Sequence, residues 1–188
     1  MAADKATEEL IRTSLKYDPE TGELFWRRRH EDTFLSTDKR SKSWIASSWN
    51  AKHAGKPAFS TIGRHGYRRG KIGNHYDFAH RIAFFLQMGR FPKECIDHIN
   101  GDRLDNRWCN LREVTRSQNQ MNKGPYGKVP QYIGVSWDKS KNRYVAYVRF
   151  NGKRIYIGRS TDPELLARKR DQKAKELFGE YARLNFNE

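Results

Sequence analysis

The segment from Cys95 to Lys123, CIDHINGDRLDNRWCNLREVTRSQNQMNK, contains an adjacent carboxylate and imidazole, Asp97 and His98, followed by several amides. Asp97 and Asn119 offer the hard oxygen ligands that Mg²⁺ prefers, and Mg²⁺ readily takes a phosphate oxygen as a further ligand. A neutral imidazole beside such an ion can take a proton from water near pH 7. Together these residue types predict hydrolysis of a phosphodiester bond.

Two short strands must position the first two of these side chains. Residues 95–99 alternate as a strand, and Asn100-Gly101 is a strong turn signal that predicts a reversal of the chain. Leu111 to Val114 predicts the second strand. Because neighbouring residues of a strand point to opposite faces, His98 should point away from the face that carries Asp97.

A helix should follow the second strand. Thr115 and Gln118 have the spacing of a capping box, which predicts a helix that begins there and ends at Gly124-Pro125. In this strand, loop, strand, helix order, Asn119 can face Asp97 across the seam between strand and helix. Asn122, one turn further along, is an alternative ligand.

Each of these residues also has a plain structural interpretation. An Asp before an Asn-Gly turn often stabilises the turn, and a single His in a strand is more often packed than catalytic. For His80 the structural interpretation is preferred. For Asp97, His98 and Asn119 the combined spacing favours chemistry.

The sequence DHINGDRLDNRWCNLREVTRSQNQMN, with the preceding HRIAFF and GRFP, resembles the HNH nuclease motif of phage and intron-encoded homing endonucleases over residues 78–123. The resemblance implies that His98 is the general base and that Asn110 is the central asparagine orienting the loop with His98. It also implies that Asp97 and Asn119 are metal ligands. The last position is often His in the wider family, and Asn119 in its place favours Mg²⁺ or Mn²⁺.

The carboxy-terminal third has the pattern of a small sheet packed on a helix. YIGVSW, RYVAYVRF and KRIYIGR predict three short strands, and DPELLARKRDQKAKELFG predicts a helix with Pro163 in its first turn. Because side chains alternate along a strand, one face of the sheet should pack on the helix and the other should face outward. The residues expected on the outer face are Val145, Tyr147, Arg149, Arg154 and Tyr156.

This pattern resembles the Apetala/ethylene-response-factor DNA-binding domain over residues 130–187. The resemblance implies DNA contacts from Arg149, Arg154 and Tyr156, while Tyr147 stands where plant members often have an acidic residue. The full set of expected DNA contacts is Arg143, Tyr147, Arg149, Arg154, Tyr156, Arg27, Arg28, Arg68 and Arg69.

The amino-terminal segment predicts short β-elements. YDPETGELFW, from Tyr17 to Trp26, is typical of a turn followed by a strand, and the polar stretch to about Lys56 is expected to be a long loop. GYRRGKIGNHYDF predicts a hairpin that turns at Gly73-Asn74. AHRIAFFLQMG predicts a short helix that ends at Gly89.

The charge balance favours a phosphate polymer as partner. The formal net charge is +15, from 37 Lys and Arg against 22 Asp and Glu, and residues 1–75, 76–127 and 128–188 carry +6, +2 and +7. No apolar run is long enough to span a membrane, and two cysteines outside a CxxC pair argue against a zinc ribbon and for a reducing compartment. The expected partner is double-stranded DNA bound by a monomer, with no membrane and no small-molecule substrate.

The sequence therefore predicts an α+β protein with a ββα-metal nuclease core and a three-stranded antiparallel sheet packed on one helix. The expected domains are 1–77, a basic β-rich segment; 78–127, the nuclease; and 128–188, the DNA reader. The expected activity is that of a metal-dependent homing endonuclease, located in the cytoplasm of a host cell if phage-encoded. The alternatives are a catalytically silent DNA-binding regulator and an RNA-binding or ribosome-associated protein, which a groove-reading sheet fits poorly.

Overall fold

The computed structural model describes residues 4–122 and 132–186. The helices and strands follow in this order: α1 Lys5–Ser14, β1 Leu15–Asp18, β2 Glu23–Trp26, α2 Lys42–His53, β3 Pro57–Ala58, β4 Thr61–Ile62, β5 Arg68–Ile72, β6 His75–Phe78, α3 Ala79–Met88, β7 Cys95–His98, β8 Leu111–Val114, α4 Arg116–Met121, β9 Val135–Asp138, β10 Arg143–Phe150, β11 Lys153–Ser160 and α5 Pro163–Phe178. Helices and small antiparallel sheets are mixed, as the α+β prediction requires. No helix in the described part of the chain has the length and apolar character needed to cross a membrane.

The contacts divide the chain into two compact units, Met1–Glu113 and Val114–Glu188. The predicted division into 1–77, 78–127 and 128–188 stays a prediction. The main core of the first unit takes residues from both sides of the first of those boundaries, for example Ile11 and Leu15 with Ile82 and Phe85. These two segments therefore bury their apolar side chains together.

Two small sheets of the first unit confirm the predicted β-elements. β1, β2 and β3 form one antiparallel sheet, and β4, β5 and β6 form another. The second turns where expected, with Ile72 paired to His75 and Gly73 at φ +56°, a conformation that glycine adopts without steric cost. Helix α3 ends at Gly89, whose φ of +74° gives the predicted left-handed cap.

The expectation of a long loop up to Lys56 is wrong, because this stretch contains α2 and a short 3₁₀ helix, Glu31–Thr33. Ser41 caps α2 by accepting a hydrogen bond from the Trp44 amide. Tertiary contacts then hold the helix, since the side chain of Asn50 exchanges two 2.9 Å hydrogen bonds with the backbone of Arg29. The weak apolar periodicity of this stretch hid the helix from sequence analysis.

Strands β7 and β8 form the predicted two-stranded sheet, and the chain reverses at Gly101, whose amide donates to the His98 carbonyl at 2.8 Å. In the second unit, Thr115 and Gln118 form the predicted capping box at the start of α4. Helix α4 ends at Met121, and the predicted end at Gly124-Pro125 lies outside the described residues.

Besides α4, the second unit contains the predicted meander, in strand order β11-β10-β9, and helix α5, which Asp162 caps with Pro163 in its first turn. One residue of the predicted outer face is buried: Val145 is only 6% exposed. Val145 pairs with Arg159, whose guanidinium reaches Asp138 on the far edge strand at 3.9 Å. The Arg159–Asp138 pair joins the two edge strands on either side of β10, the strand that carries Val145.

Candidate functional site

His98, at the end of β7, is buried and paired within the first unit. Its Nε2 lies 3.1 Å from Oδ1 of Asn106, a residue that is only 2% exposed. An amide oxygen can only accept, so Nε2 carries the proton and the neutral ring has its lone pair on Nδ1. Burial lowers the pKa of His98, against the opposing effect of the Asn106 hydrogen bond and nearby carboxylates. His98 is therefore neutral near pH 7, as a general base must be.

Three aromatic side chains pack around the His98 ring or against each other. The His80 ring meets it edge-on at 5.2 Å between centroids, and the Tyr67 ring lies 5.8 Å away. Phe78 stacks on His80 at an interplanar angle of 7°. Burial, followed by the repulsion of His98, lowers the pKa of His80 to about 3. His80 is thus a neutral, packed histidine, as the structural interpretation supposed.

Asn110 closes the loop that follows His98. Its Oδ1 accepts from the Asn100 amide at 2.9 Å, and its Nδ2 donates to the Asp105 carbonyl at 2.7 Å. Its own carbonyl accepts from the Ile99 amide at 2.9 Å. One asparagine thereby ties both ends of the loop to the start of β8, and its role in orienting His98 stays a prediction.

A second carboxylate inside this loop has a fixed position. Asp105 accepts hydrogen bonds from the Arg107 guanidinium at 2.7 and 2.8 Å and from the Asn100 amide group at 2.8 Å. Arg107, helped by Asn100, holds the pKa of Asp105 at about 2. The loop therefore keeps its charge and shape throughout the neutral range.

Asp97 is buried at 6% exposure and paired with Arg112 of β8. Nε and Nη2 of Arg112 both donate to Oδ2 of Asp97, at 2.9 and 2.8 Å. The carboxylate is a hard oxygen donor of the type that Mg²⁺ and Mn²⁺ accept. A metal ion at Asp97 would have to share this carboxylate with the guanidinium, a competition that the sequence did not reveal.

Asn119, the other predicted ligand, is a half-buried residue of α4 in the second unit. Its backbone N–H donates to the Thr115 carbonyl at 3.0 Å. The alternative ligand Asn122 is buried. Within residues 4–122 and 132–186, no group of three or more His, Cys, Asp or Glu could hold a metal ion. A single carboxylate such as Asp97 still suits Mg²⁺, which keeps several waters and needs only one or two protein carboxylates.

The expected DNA contacts of the second unit lie on β10 and β11. The Arg154 guanidinium lies 3.7 Å from the centroid of the Tyr147 ring, and the Tyr147 and Tyr156 rings meet edge-on at 5.6 Å. Arg149 pairs across the strands with Arg154, and Arg143 is exposed at the start of β10. This stacking restricts the Arg154 side chain before any ligand binds.

The expected DNA contacts of the first unit have more varied surroundings. Arg28 is exposed, while Arg27 is exposed but donates from Nε to the Leu15 carbonyl at 2.8 Å. Arg68 and Arg69 are half-buried. Arg68 lies 3.8 Å from a Glu23 oxygen, and Arg69 lies over the Tyr76 ring. All four remain predictions as DNA contacts.

Sequence analysis missed Asn106, Arg112 and Tyr67 as parts of the site. Asn106 and Arg112 lie inside the motif, but an Asn in a loop and an Arg in a strand have no distinctive spacing. Tyr67 is 31 residues before His98, so only the tertiary fold brings the two rings together.

Comparisons with known proteins agree on one family. A family model described as HNH endonuclease matches residues 77–121. A protein of Acanthamoeba polyphaga mimivirus, named as an uncharacterised HNH endonuclease, is 30% identical to this chain over 164 residues, which are 86% of the chain and 79% of that protein. No solved structure matches the chain.

Proposed function

Because the chain belongs to the HNH endonuclease family, we propose that it hydrolyses phosphodiester bonds in double-stranded DNA, with His98 as the general base. One observation carries the proposal most. His98 is buried, neutral and hydrogen-bonded through Nε2 to Asn106, next in sequence to the buried carboxylate Asp97. In this tautomer, Nδ1 is the ring nitrogen that takes the proton of an attacking water.

The chain's own residues divide the work of the reaction. His98 takes the proton from water, Asn110 keeps the His98 loop closed, and the aromatic neighbours hold the ring orientation. Attack on the phosphorus then breaks the bond to the 3′ oxygen, which takes a proton from solvent water, and the products are a 5′-phosphate and a 3′-hydroxyl end.

We propose that a divalent metal binds at Asp97, with Mg²⁺ or Mn²⁺ as the ion that this oxygen donor suits, and Asn119 stays a prediction as the second ligand. Such an ion, when bound, supplies stabilisation of the charge on the scissile phosphate and on the leaving oxygen. Arg112 already neutralises Asp97 in the protein alone, so it shares the carboxylate with the ion or turns to the phosphate when DNA binds.

DNA affinity comes, in this proposal, from the basic flanks and from the outer face of β10 and β11. Arg149 and the stacked Arg154 are suited to bidentate contact with phosphates or guanine edges. The proposal includes the resemblance of this unit to the Apetala-type DNA-binding domain. Arg143, Tyr147 and Tyr156 are the other proposed DNA contacts on this face.

Recognition of one chosen site would make the protein a homing endonuclease of a phage or other mobile element, working as a monomer in the host cytoplasm. The alternative is a silent DNA-binding regulator. The paired and buried arrangement of Asp97 and His98 favours the nuclease, because an unused buried carboxylate and imidazole have a cost in stability.

The test is incubation of supercoiled plasmid carrying candidate target DNA with the protein and Mg²⁺. We expect nicked or linear product with Mg²⁺, no product when EDTA is present in excess, and a loss of about 10²- to 10⁴-fold in rate for His98→Ala. His30→Ala is the matched control, because His30 is an exposed histidine of the same unit with 75% side-chain exposure. Binding without any cut product would support the silent regulator instead.

A further inference from the structure

The β1–β2 hairpin, far from the nuclease motif in sequence, touches the segment that holds His98. The Tyr17 hydroxyl donates to the Asn106 carbonyl at 2.7 Å, and the Trp108 amide donates to the Pro19 carbonyl at 2.9 Å. Asn106 is the residue whose side chain pairs with Nε2 of His98. The buried Asn106 therefore contacts the hairpin through its backbone carbonyl and His98 through its side chain.

The hairpin turn packs directly on the Asn106–Arg107 backbone at Gly22. A Cβ on Gly22 would lie 2.4 Å from the Arg107 amide nitrogen and 2.5 Å from the Asn106 carbonyl carbon. Gly22 also has a φ of +75°, which L side chains rarely adopt. Only glycine lets the turn reach the Asn106 backbone.

Tyr17 is also well fixed. Its ring packs against both apolar clusters of the first unit, one built around Ile82 and Phe85 and the other around Phe84 and Ile96. Because the packed ring leaves the Tyr17 hydroxyl few alternative positions, its hydrogen bond restrains the position of the Asn106 carbonyl.

We propose that the hairpin of residues 15–26 is a positioning element of the nuclease site, in which Tyr17 holds Asn106 so that Asn106 keeps its hydrogen bond to His98. This inference rests on the proposed function. Tyr17 and Asn106 are positioning residues and do not touch the substrate. The functional site therefore extends well before residues 77–121, where the family model matches.

Tyr17→Phe tests the proposal, because it removes one hydroxyl and keeps the packed ring. We expect kcat on plasmid DNA to fall about five- to tenfold, as the loss of one well-placed hydrogen bond would produce, with KM unchanged within about twofold. Tyr132→Phe is the control: its ring packs in the second unit, and its hydroxyl has no role in the proposed site. Unchanged kcat in Tyr17→Phe would overturn the proposal.

Nitrogen NMR of ¹⁵N-histidine-labelled protein without metal gives a readout that a merely structural role would not move. His98→Ala assigns the His98 resonances. Tyr17→Phe should shift the Nδ1 and Nε2 resonances of His98 toward each other as the Nε2–H tautomer loses its preference, and Tyr132→Phe should leave them in place. Resonances that stay unshifted in Tyr17→Phe would contradict the inference.

A double-mutant cycle separates action through Asn106 from an independent effect. If Tyr17 acts through Asn106, adding Tyr17→Phe to Asn106→Ala should lower kcat by less than about twofold more. Multiplication of the two single effects would overturn the proposed route. Should the unaltered protein cut no DNA, the proposed function fails, while the NMR measurement still tests the positioning of His98 separately.

Discussion

At the scale of single residues, the site depends on buried polar groups that satisfy each other. His98 is paired with Asn106, Asp97 with Arg112, and the Asn110 amide with the two ends of its loop. Buried polar groups are costly unless paired, so these contacts both stabilise the unit and orient the reactive atoms. Removal of one member should therefore affect stability as well as activity.

Replacement of Arg112 tests how much the buried Asp97 carboxylate contributes to instability when its ion pair is lost. Arg112→Leu should lower the free energy of unfolding by about 3 kcal/mol, because a buried carboxylate loses its counter-charge. Urea unfolding of the metal-free protein measures the change, and Arg28→Leu, an exposed arginine of the same unit, should cost less than about 0.5 kcal/mol.

A second variant separates charge from packing. Asp97→Asn combined with Arg112→Leu should recover part of the stability lost in Arg112→Leu, because no unpaired charge then remains buried. If the double variant unfolds at the same or a lower urea concentration than Arg112→Leu, the ion pair is not what the arginine contributes.

At the scale of elements, the order β7, loop, β8 and α4 was readable from local signals, and α2 was not. The Asn-Gly turn and the capping box act over three or four residues, so the sequence alone determines them. Helix α2 depends instead on Asn50 contacting Arg29, 21 residues away. The tip of the β1–β2 hairpin likewise takes its role from residues far along the chain.

Two glycines with similar backbone angles test the close approach of that hairpin. Gly22 has φ +75° against the Asn106–Arg107 backbone, whereas Gly55 has φ +79° with nothing within 4 Å of an added Cβ. Gly55→Ala should destabilise by about 1 kcal/mol from backbone strain alone. Gly22→Ala should lower the free energy of unfolding by at least about 2 kcal/mol more than Gly55→Ala, because the Asn106–Arg107 backbone must also move.

Thermal or urea unfolding of the two variants gives the comparison directly. Equal losses in Gly22→Ala and Gly55→Ala would mean that the hairpin can withdraw from Asn106 without cost. In that event the hairpin would also be unable to hold the residue that pairs with His98.

At the scale of the whole molecule, charge and chemistry are distributed unevenly along the chain. Residues 76–127 carry a net +2, against +6 and +7 on their two sides. Under the proposed function, positive charge draws the phosphate backbone to the protein, while carboxylates such as Asp97 keep the reacting region suited to a cation. Binding should therefore depend strongly on salt even where cleavage does not occur.

Binding of double-stranded DNA in EDTA, measured across a salt series, tests the outer face of β10 and β11. Arg149→Ala with Arg154→Ala should weaken binding and reduce the slope of log K against log salt by about 2, from two lost phosphate contacts. The control pair, Arg168→Ala with Lys169→Ala, removes the same charge from exposed positions on α5. Equal effects in both pairs would assign binding to net charge rather than to this sheet face.

The sequence by itself determined the local structure and the chemistry on offer. Turns, caps and strand alternation placed β7, β8, the start of α4 and the meander, and the spacing of Asp97, His98 and Asn119 predicts the kind of site. These features are encoded in side chains a few residues apart, whose preferences act before the chain folds.

Only the tertiary structure decided which partners those side chains meet. Tyr17 and Tyr67 reach the surroundings of His98 from 81 and 31 residues away, and Val145, on the predicted outer face, is only 6% exposed. Arg112 is near in sequence, yet only the pairing of β7 with β8 sets it on Asp97. Long-range packing and charge pairing are properties of the assembled core, so no local pattern announces them.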